Sequence, residues 1–133
     1  MIFIDSNVPM YAAGREHPNR QPALDFLARA QSGEVEVCTS TAVLQEILYR
    51  YHALSRLDLA LQVYDLFVAL CPTVLPVTLA DTDLARRLIE DVAGLGVRDA
   101  IHAAVSLNHD VETVASFDRT FDRVPNLTRL APH

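Results

Sequence analysis

Ile2-Phe3-Ile4-Asp5-Ser6-Asn7 is a short apolar run that stops at an acid. Branched and aromatic residues without polar alternation read as a strand buried on both faces, the pattern of a parallel sheet. Asp5 then stands at the carboxyl end of that strand. In open α/β sheets ligands bind just outside the carboxyl ends of the strands, so an acid there faces the crevice rather than bulk water. A carboxylate that ends a buried strand also needs a partner, because burying it alone is costly.

The chain beyond this run alternates helices and strands. Asn7-Val8-Pro9 opens a short helix, with Asn7 suited to cap it and Pro9 near the first turn, where its missing N–H costs little; Gly14 ends it. After a polar loop from Gly14 to Arg20, a helix is expected from about Pro22 to Gln31, with Ala23, Leu24, Leu27 and Ala30 inward. Glu34 to Thr39 alternates polar and apolar positions, which predicts a second strand less buried than the first. Helical spacing runs from Thr41 to about Leu54, with Val43, Ile47, Tyr51 and Leu54 on one stripe, and again from Leu59 to Leu70, where Pro72 prevents continuation. These two helices read as a hairpin whose surplus apolar surface suits a dimer or partner face as well as a core. Thr73 to Val77, with Pro76, reads as a strand near an edge. A helix follows from Leu84 to Val92, stopped by Gly94 and Gly96, and another from Arg98 to about His109. Val111 to Ser116 and Leu127 to Leu130 complete a mostly parallel sheet of about five strands covered on both faces.

Composition narrows the class. A chain of 133 residues is read as one domain, 1–133, able to bury roughly two thirds of its unfolded surface without disulfides. Half the residues are hydrophobic, yet no apolar run approaches the ~20 residues that span a bilayer, so no membrane role is expected. No basic segment with an apolar stretch opens the sequence, which makes the cytoplasm the expected location. Cys38 and Cys71 lack metal-ligand or redox spacing and read as buried thiols. The net charge is −6 and all 11 basic residues are Arg, so a broad basic field for nucleic acid is excluded. Any nucleic acid has to be held by local Arg and by metal.

Four acids fall at one rim of this layout. Asp5 ends the first strand, Glu46 lies early in the helix after the second, Asp99 is in the first turn of its helix, and Asp118 follows the fourth strand by two residues. Asp122, one helical turn further, is a candidate fifth. Each alone has a plainer reading: Asp99 suits a helix N-terminus, Asp118 suits a cap, and Glu46 suits an exposed helix face. Together they crowd like charges that a divalent cation neutralises, and an all-oxygen set fits Mg²⁺ or Mn²⁺ rather than Zn²⁺. Phosphoester hydrolysis by a cation-activated water is the chemistry such a site supports.

At this point the residues resemble a known family. Ile2 to Asn7, Thr39-Ser40 ahead of Gln45-Glu46, Arg98-Asp99-Ala100-Ile101-His102-Ala103, and Ser116-Phe117-Asp118-Arg119 with Phe121 are similar to the successive motifs of PIN-domain nucleases. The helix hairpin after Glu46 resembles VapC-type toxins of toxin–antitoxin pairs. The resemblance implies a three-layer α/β/α sandwich and a Mg²⁺- or Mn²⁺-dependent endoribonuclease. It further implies an RNA substrate, a cognate antitoxin protein covering the hairpin and reaching the acidic rim, and a homodimer. By position, Asp5, Glu46, Asp99 and Asp118 match the family's metal-binding acids, Asp122 matches an acid found in some members, and Ser6 and Ser116 match hydroxyl positions.

Other polar residues have weaker claims. His102 follows Asp99 by three residues on the same helical face and is expected to pack and hydrogen-bond near the site. Arg98 and Arg119 suit either phosphate or the acids beside them. Arg15, His17 and Arg20 read as a solvated loop, with RNA contact the lesser alternative because no aromatic residue lies among them. Competing functions are a PIN nuclease of RNA processing that is not a toxin, a Mg²⁺ phosphohydrolase acting on small phosphate compounds, weakened by the lack of a second acid two residues after Asp5, and a binding module without activity.

Overall fold

The structure is a computed structural model describing residues 1–133. Five strands form one sheet: β1 (Ile2–Ile4), β2 (Val37–Ser40), β3 (Thr73–Leu75), β4 (Thr113–Ala115) and β5 (Thr128–Leu130). Their order is β3-β2-β1-β4-β5, and every neighbouring pair is parallel. Parallel neighbours need crossovers, supplied by α1 (Asn7–Ala13), α2 (Arg20–Gln31), α3 (Thr41–Ala53), α4 (Leu57–Leu70), α5 (Leu79–Asp91) and α6 (Val97–Asn108). A 3-10 helix, Arg119–Arg123, links β4 to β5. The result is the expected α/β/α sandwich.

The strand order sets the location of the cleft. From central β1 the chain steps outward through β2 and β3 on one side, then returns to build β4 and β5 on the other. The loops leaving β1 and β4 therefore diverge from adjacent strands, with Ile4 opposite Ala115 in register. Such a switch point is where an open α/β sheet has its crevice.

Several local expectations need correction. β2 starts at Val37, and all four of its residues are buried, because it is an interior strand of a parallel sheet with helices over both faces. The acid-apolar alternation that suggested a half-exposed strand belongs to the turn before it, with Glu34 and Glu36 in solvent. Helix α2 begins at Arg20, so Pro22 occupies its first turn, and Phe26, absent from the expected inward set, is fully buried. Helix α5 begins at Leu79 because Thr78 and Asp81 form a reciprocal cap: the Asp81 carboxylate accepts from the Thr78 backbone at 2.8 Å, and a further bond from Asn108 ties α5 to α6. Asn7 does not cap α1; its side chain crosses to the loop after β4.

The hairpin of α3 and α4 has two faces. Val43, Ile47, Tyr51, Ala60, Val63 and Phe67 enter the core. Leu48, Tyr49, Leu54, Leu57, Leu61 and Leu66 stay exposed, so Leu54 leaves the core stripe assigned to it. Cys38 and Cys71 are free, buried thiols, pushed up by burial to about 11 and about 12. No helix is long and apolar enough to cross a membrane.

Candidate active site

Asp5, Glu46, Asp99 and Asp118 all line one cleft of about 520 Å³, together with Ser6, Asn7, Met10, Arg50 and Arg98. Each acid arrives from a different segment, and local structure fixes each. Asp5 leaves β1 nearly buried, its Oδ1 accepting from the Ser6 backbone N–H at 2.8 Å and its Oδ2 from the Ser116 hydroxyl at 2.7 Å. Ser40 caps α3 by accepting from Val43 N–H, which starts the helix that carries Glu46. Asp99 lies in the first turn of α6, where the helix dipole favours negative charge. Asp118 caps the 3-10 helix, accepting from the Thr120 N–H at 3.0 Å. That cap is the plainer reading, and it coexists with a place in the cleft.

Hydroxyls and one amide stitch these segments together. Ser116 Oγ, which donates to Asp5, also accepts from the Asn7 side chain and from the Asp118 backbone, both at 3.0 Å. Asn7 Oδ1 accepts from Phe117 N–H at 3.4 Å, which fixes the loop after β4 to the start of α1. Ser6 Oγ donates to Glu46 Oε2 at 2.8 Å. Thr120 Oγ1 lies 3.1 Å from Asp99 and 2.9 Å from Asp118, its single proton serving one at a time. Neither Asn7 nor Thr120 stands out as a site residue in the sequence, because their partners lie in other segments of the chain.

His102 is the buried contact at the centre. Its Nε2 lies 3.0 Å from Glu46 Oε1 and 3.7 Å from Asp5 Oδ1. The ligand atoms of Asp5, Glu46 and His102 lie within 4.8 Å of one another, whereas Asp99 and Asp118 stand outside that tight group in the same cleft. Burial disfavours the imidazolium, but the Glu46 hydrogen bond and the charges of Asp5, Glu46 and Asp99 outweigh it and raise the pKa of His102. Nδ1, which has no partner, opposes that charging, since its second proton would be buried unpaired. Once a cation neutralises the acids, the neutral ring with Nε2–H donating to Glu46 is favoured. His102 and Ser6 thus hold both Glu46 oxygens. His102→Phe is expected to weaken Mn²⁺ binding by about 10- to 100-fold in calorimetric titration, with His102→Gln weakening it less. Equal affinity in all three proteins would show that Glu46 needs no such clamp.

The remaining candidates separate clearly. Arg98 is mostly exposed, with Nη1 3.8 Å from Glu46 Oε2, so it is both an ion-pair partner and a cleft residue. Arg119 is exposed and makes no ion pair. Asp122 does not line the cleft: its carboxylate is held by Arg129 at 3.0 Å, and the same guanidinium bonds the Ser116 carbonyl. Arg20 pairs with Glu16 at 3.3 Å on the surface. No Phe, Tyr or Trp lies in the first loop itself, but Tyr11 of α1 packs against His17 with ring centroids 4.6 Å apart.

Electrostatics favour a cation. Burial, the Asp5 charge and contact with Asp118 push Asp99 up to about 6. Burial also pushes Asp5 up, against hydrogen bonds from Ser116 and Ser6. Burial pushes Glu46 the same way, but His102, Ser6 and Arg98 outweigh it and hold it below the usual carboxylate range. Asp118 is likewise held low despite burial, by the Thr120 backbone and hydroxyl and by Arg129. In the metal-free protein Asp99 therefore holds its proton more tightly than Asp118 does. Crowded oxygen donors that repel one another when ionised suit a hard divalent cation.

Known proteins resemble this chain in sequence and in fold. The sequence pattern of the family described as PIN domain matches residues 2–127. Ribonuclease VapC13 of Mycobacterium tuberculosis (strain ATCC 25618 / H37Rv) is 40% identical over 131 residues, covering 98% of this chain and 100% of that protein. Ribonuclease VapC23 of the same strain is 39% identical over 123 residues, covering 90% of this chain and 94% of that one. Among solved structures, Mycobacterium tuberculosis VapC20, described as a sarcin-ricin loop cleaving toxin, superposes with a TM-score of 0.74 at 19% identity, over 90% of this chain and 91% of that one. VapBC2 from Rickettsia felis, bound to a DNA fragment of its promoter, gives a TM-score of 0.73 at 19% identity, over 98% of each chain.

Proposed function

The chain belongs to the PIN-domain family, and from that premise we propose that it is a metal-dependent endoribonuclease acting as the toxin of a toxin–antitoxin pair, with residues 1–133 as one domain. The observation that carries the reading is the convergence of Asp5, Glu46, Asp99 and Asp118 on one cleft at the switch point of the sheet. We assign the cation, Mg²⁺ or Mn²⁺, to these four acids and leave out Asp122, whose carboxylate Arg129 occupies. Bound there, the cation would supply an activated water and neutralise the charge that develops on the phosphate.

The protein's own groups do the rest. His102 and Ser6 orient Glu46, Ser116 and the Ser6 N–H orient Asp5, and Thr120 bridges Asp99 and Asp118, so little reorganisation remains when substrate arrives. Arg98 and Arg50, at the mouth of the cleft, are placed to meet the flanking phosphates. No nucleophilic side chain is required.

The antitoxin has a natural seat. An apolar groove of about 530 Å³ between α1, α2 and α4, lined by Leu24, Leu27, Leu66, Phe67 and Leu70 among others, suits an apolar segment of a partner. An Arg from such a segment reaching the acids would close the site. Leu48, Leu54, Leu57 and Leu61 of the hairpin, outside that groove, are the remaining apolar surface for a second copy of the chain.

Expression of the protein is expected to arrest growth, and coexpression of its cognate antitoxin to relieve the arrest. Purified protein is expected to make discrete cuts in total cellular RNA with Mn²⁺ or Mg²⁺ and none with EDTA. Cutting without growth arrest would favour the RNA-processing reading. Failure to cut RNA by folded, metal-loaded protein would remove the nuclease reading.

A further inference from the structure

We propose that Tyr11, His17 and Phe117 form a shelf on which a nucleobase of single-stranded RNA stacks beside the cleavage cleft, a proposal that rests on the ribonuclease reading. The three rings come from separate segments. Tyr11 lies in α1, and its ring centroid is 4.6 Å from that of His17 at 33° and 5.2 Å from that of Phe117 at 78°. The middle ring and one end of the stack are tied to the cleft by the chain itself. Met10, next to Tyr11, lines the cleft, and Phe117 immediately precedes Asp118. Asn7 locks the arrangement by accepting from the Phe117 N–H while donating to Ser116, which in turn donates to Asp5.

His17 presents the outer face. It is exposed, in a loop of polar residues, yet its ring is not free to turn: Nδ1 accepts from the Asn19 N–H at 3.0 Å and one face lies on Tyr11. That bond fixes the tautomer, leaving the proton on Nε2, which has no protein partner. An ordered aromatic face open to water, with an N–H donor at its edge, is the equipment that single-strand binders use for base stacking. Arg15, exposed two residues earlier, is within the same loop.

The charge of the protein gives such a shelf a use. A chain of net charge −6 with an acid-lined cleft attracts phosphate weakly, so counterion release contributes little to affinity. Stacking depends little on net charge and tolerates any base. It also holds a base flanking the scissile bond while Arg50 and Arg98 meet phosphates, which sets the register of cutting without reading a sequence.

The test uses short single-stranded oligoribonucleotides, each carrying one fluorescent 2-aminopurine at a different distance from the cut site, bound to the full-length Asp99→Asn protein. One position on one side of the cut is expected to be quenched. Adding His17→Ala should abolish that quenching and raise the dissociation constant about tenfold, and adding His17→Phe should retain both. In the cleaving protein, His17→Ala should raise KM by about the same factor and change kcat by less than about twofold. A His17 ring that merely closes the loop would lower Tm in His17→Ala with quenching and KM unchanged, and that result overturns the shelf while RNA cleavage itself persists. Absence of RNA cleavage by the wild-type protein would instead overturn the ribonuclease reading, and the shelf with it.

Discussion

Asp99→Asn is expected to lower metal-dependent RNA cleavage by about 10³-fold or more and, in the same protein, to raise the stability of the metal-free fold. The first effect follows from removing one charged donor of the cation, for which a loss of several kcal/mol of transition-state stabilisation is ordinary. The second follows from the cleft itself. Asp99 is pushed up to about 6 by burial, by Asp5 and by Asp118, so at neutral pH its ionised form strains the metal-free protein. A neutral amide of the same shape relieves that strain by on the order of 1 kcal/mol once solvent screening at the open cleft is allowed for. A catalytic loss caused by misfolding would carry the opposite sign. Urea denaturation in EDTA beside a cleavage assay separates the two, and a variant both inactive and less stable would remove Asp99 from the metal set.

How much of this was readable beforehand depends on whether a feature is local. Ile2 to Asp5 declared both the parallel sheet and the rim, because a wholly apolar strand followed by an acid has few other uses. The four acids each carried a position relative to a strand or helix end, and position along a parallel sheet is enough to predict a shared rim. The second strand reads as half-exposed because Glu34 and Glu36 imitate alternation; burial at Val37 to Ser40 is decided by the neighbouring strands and the helices over both faces, which no short window contains.

The contacts that hold the site together are long-range and so were hidden. Asn7 had the composition of a cap, but its amide is satisfied by Ser116 and Phe117, more than a hundred residues away. His102 gave only a helical offset from Asp99, whereas its use depends on Glu46, 56 positions earlier. Asp122 shows the converse: it shares the helical face of Asp118 in sequence, and Arg129 from β5 draws its carboxylate aside. Tyr11 was counted as helix and His17 as loop, and only the fold sets one ring on the other.

The cation should be visible in stability as well as in rate. Mn²⁺ at about a hundred times its dissociation constant adds about 2.7 kcal/mol to the native state, roughly 10 °C in Tm for a chain of this size. Its pH dependence carries the sign that identifies the ligands. Without metal, Asp99 and Asp5 hold their protons more tightly in the folded than in the unfolded chain. The folded state therefore binds more protons between pH 5 and 6, and stability falls as pH rises through that window. Glu46 and Asp118, held low, are ionised in both states there, and His102, raised above its ordinary value, adds its own loss of stability only above that value. A bound cation favours the carboxylate forms of Asp99 and Asp5 and reverses the order of proton affinities, so stability should rise with pH across the same window. Thermal melts at pH 5 and pH 6, with EDTA and with Mn²⁺, should therefore slope in opposite directions, and Asp99→Asn should flatten the EDTA series. Parallel slopes would place the cation somewhere other than these acids.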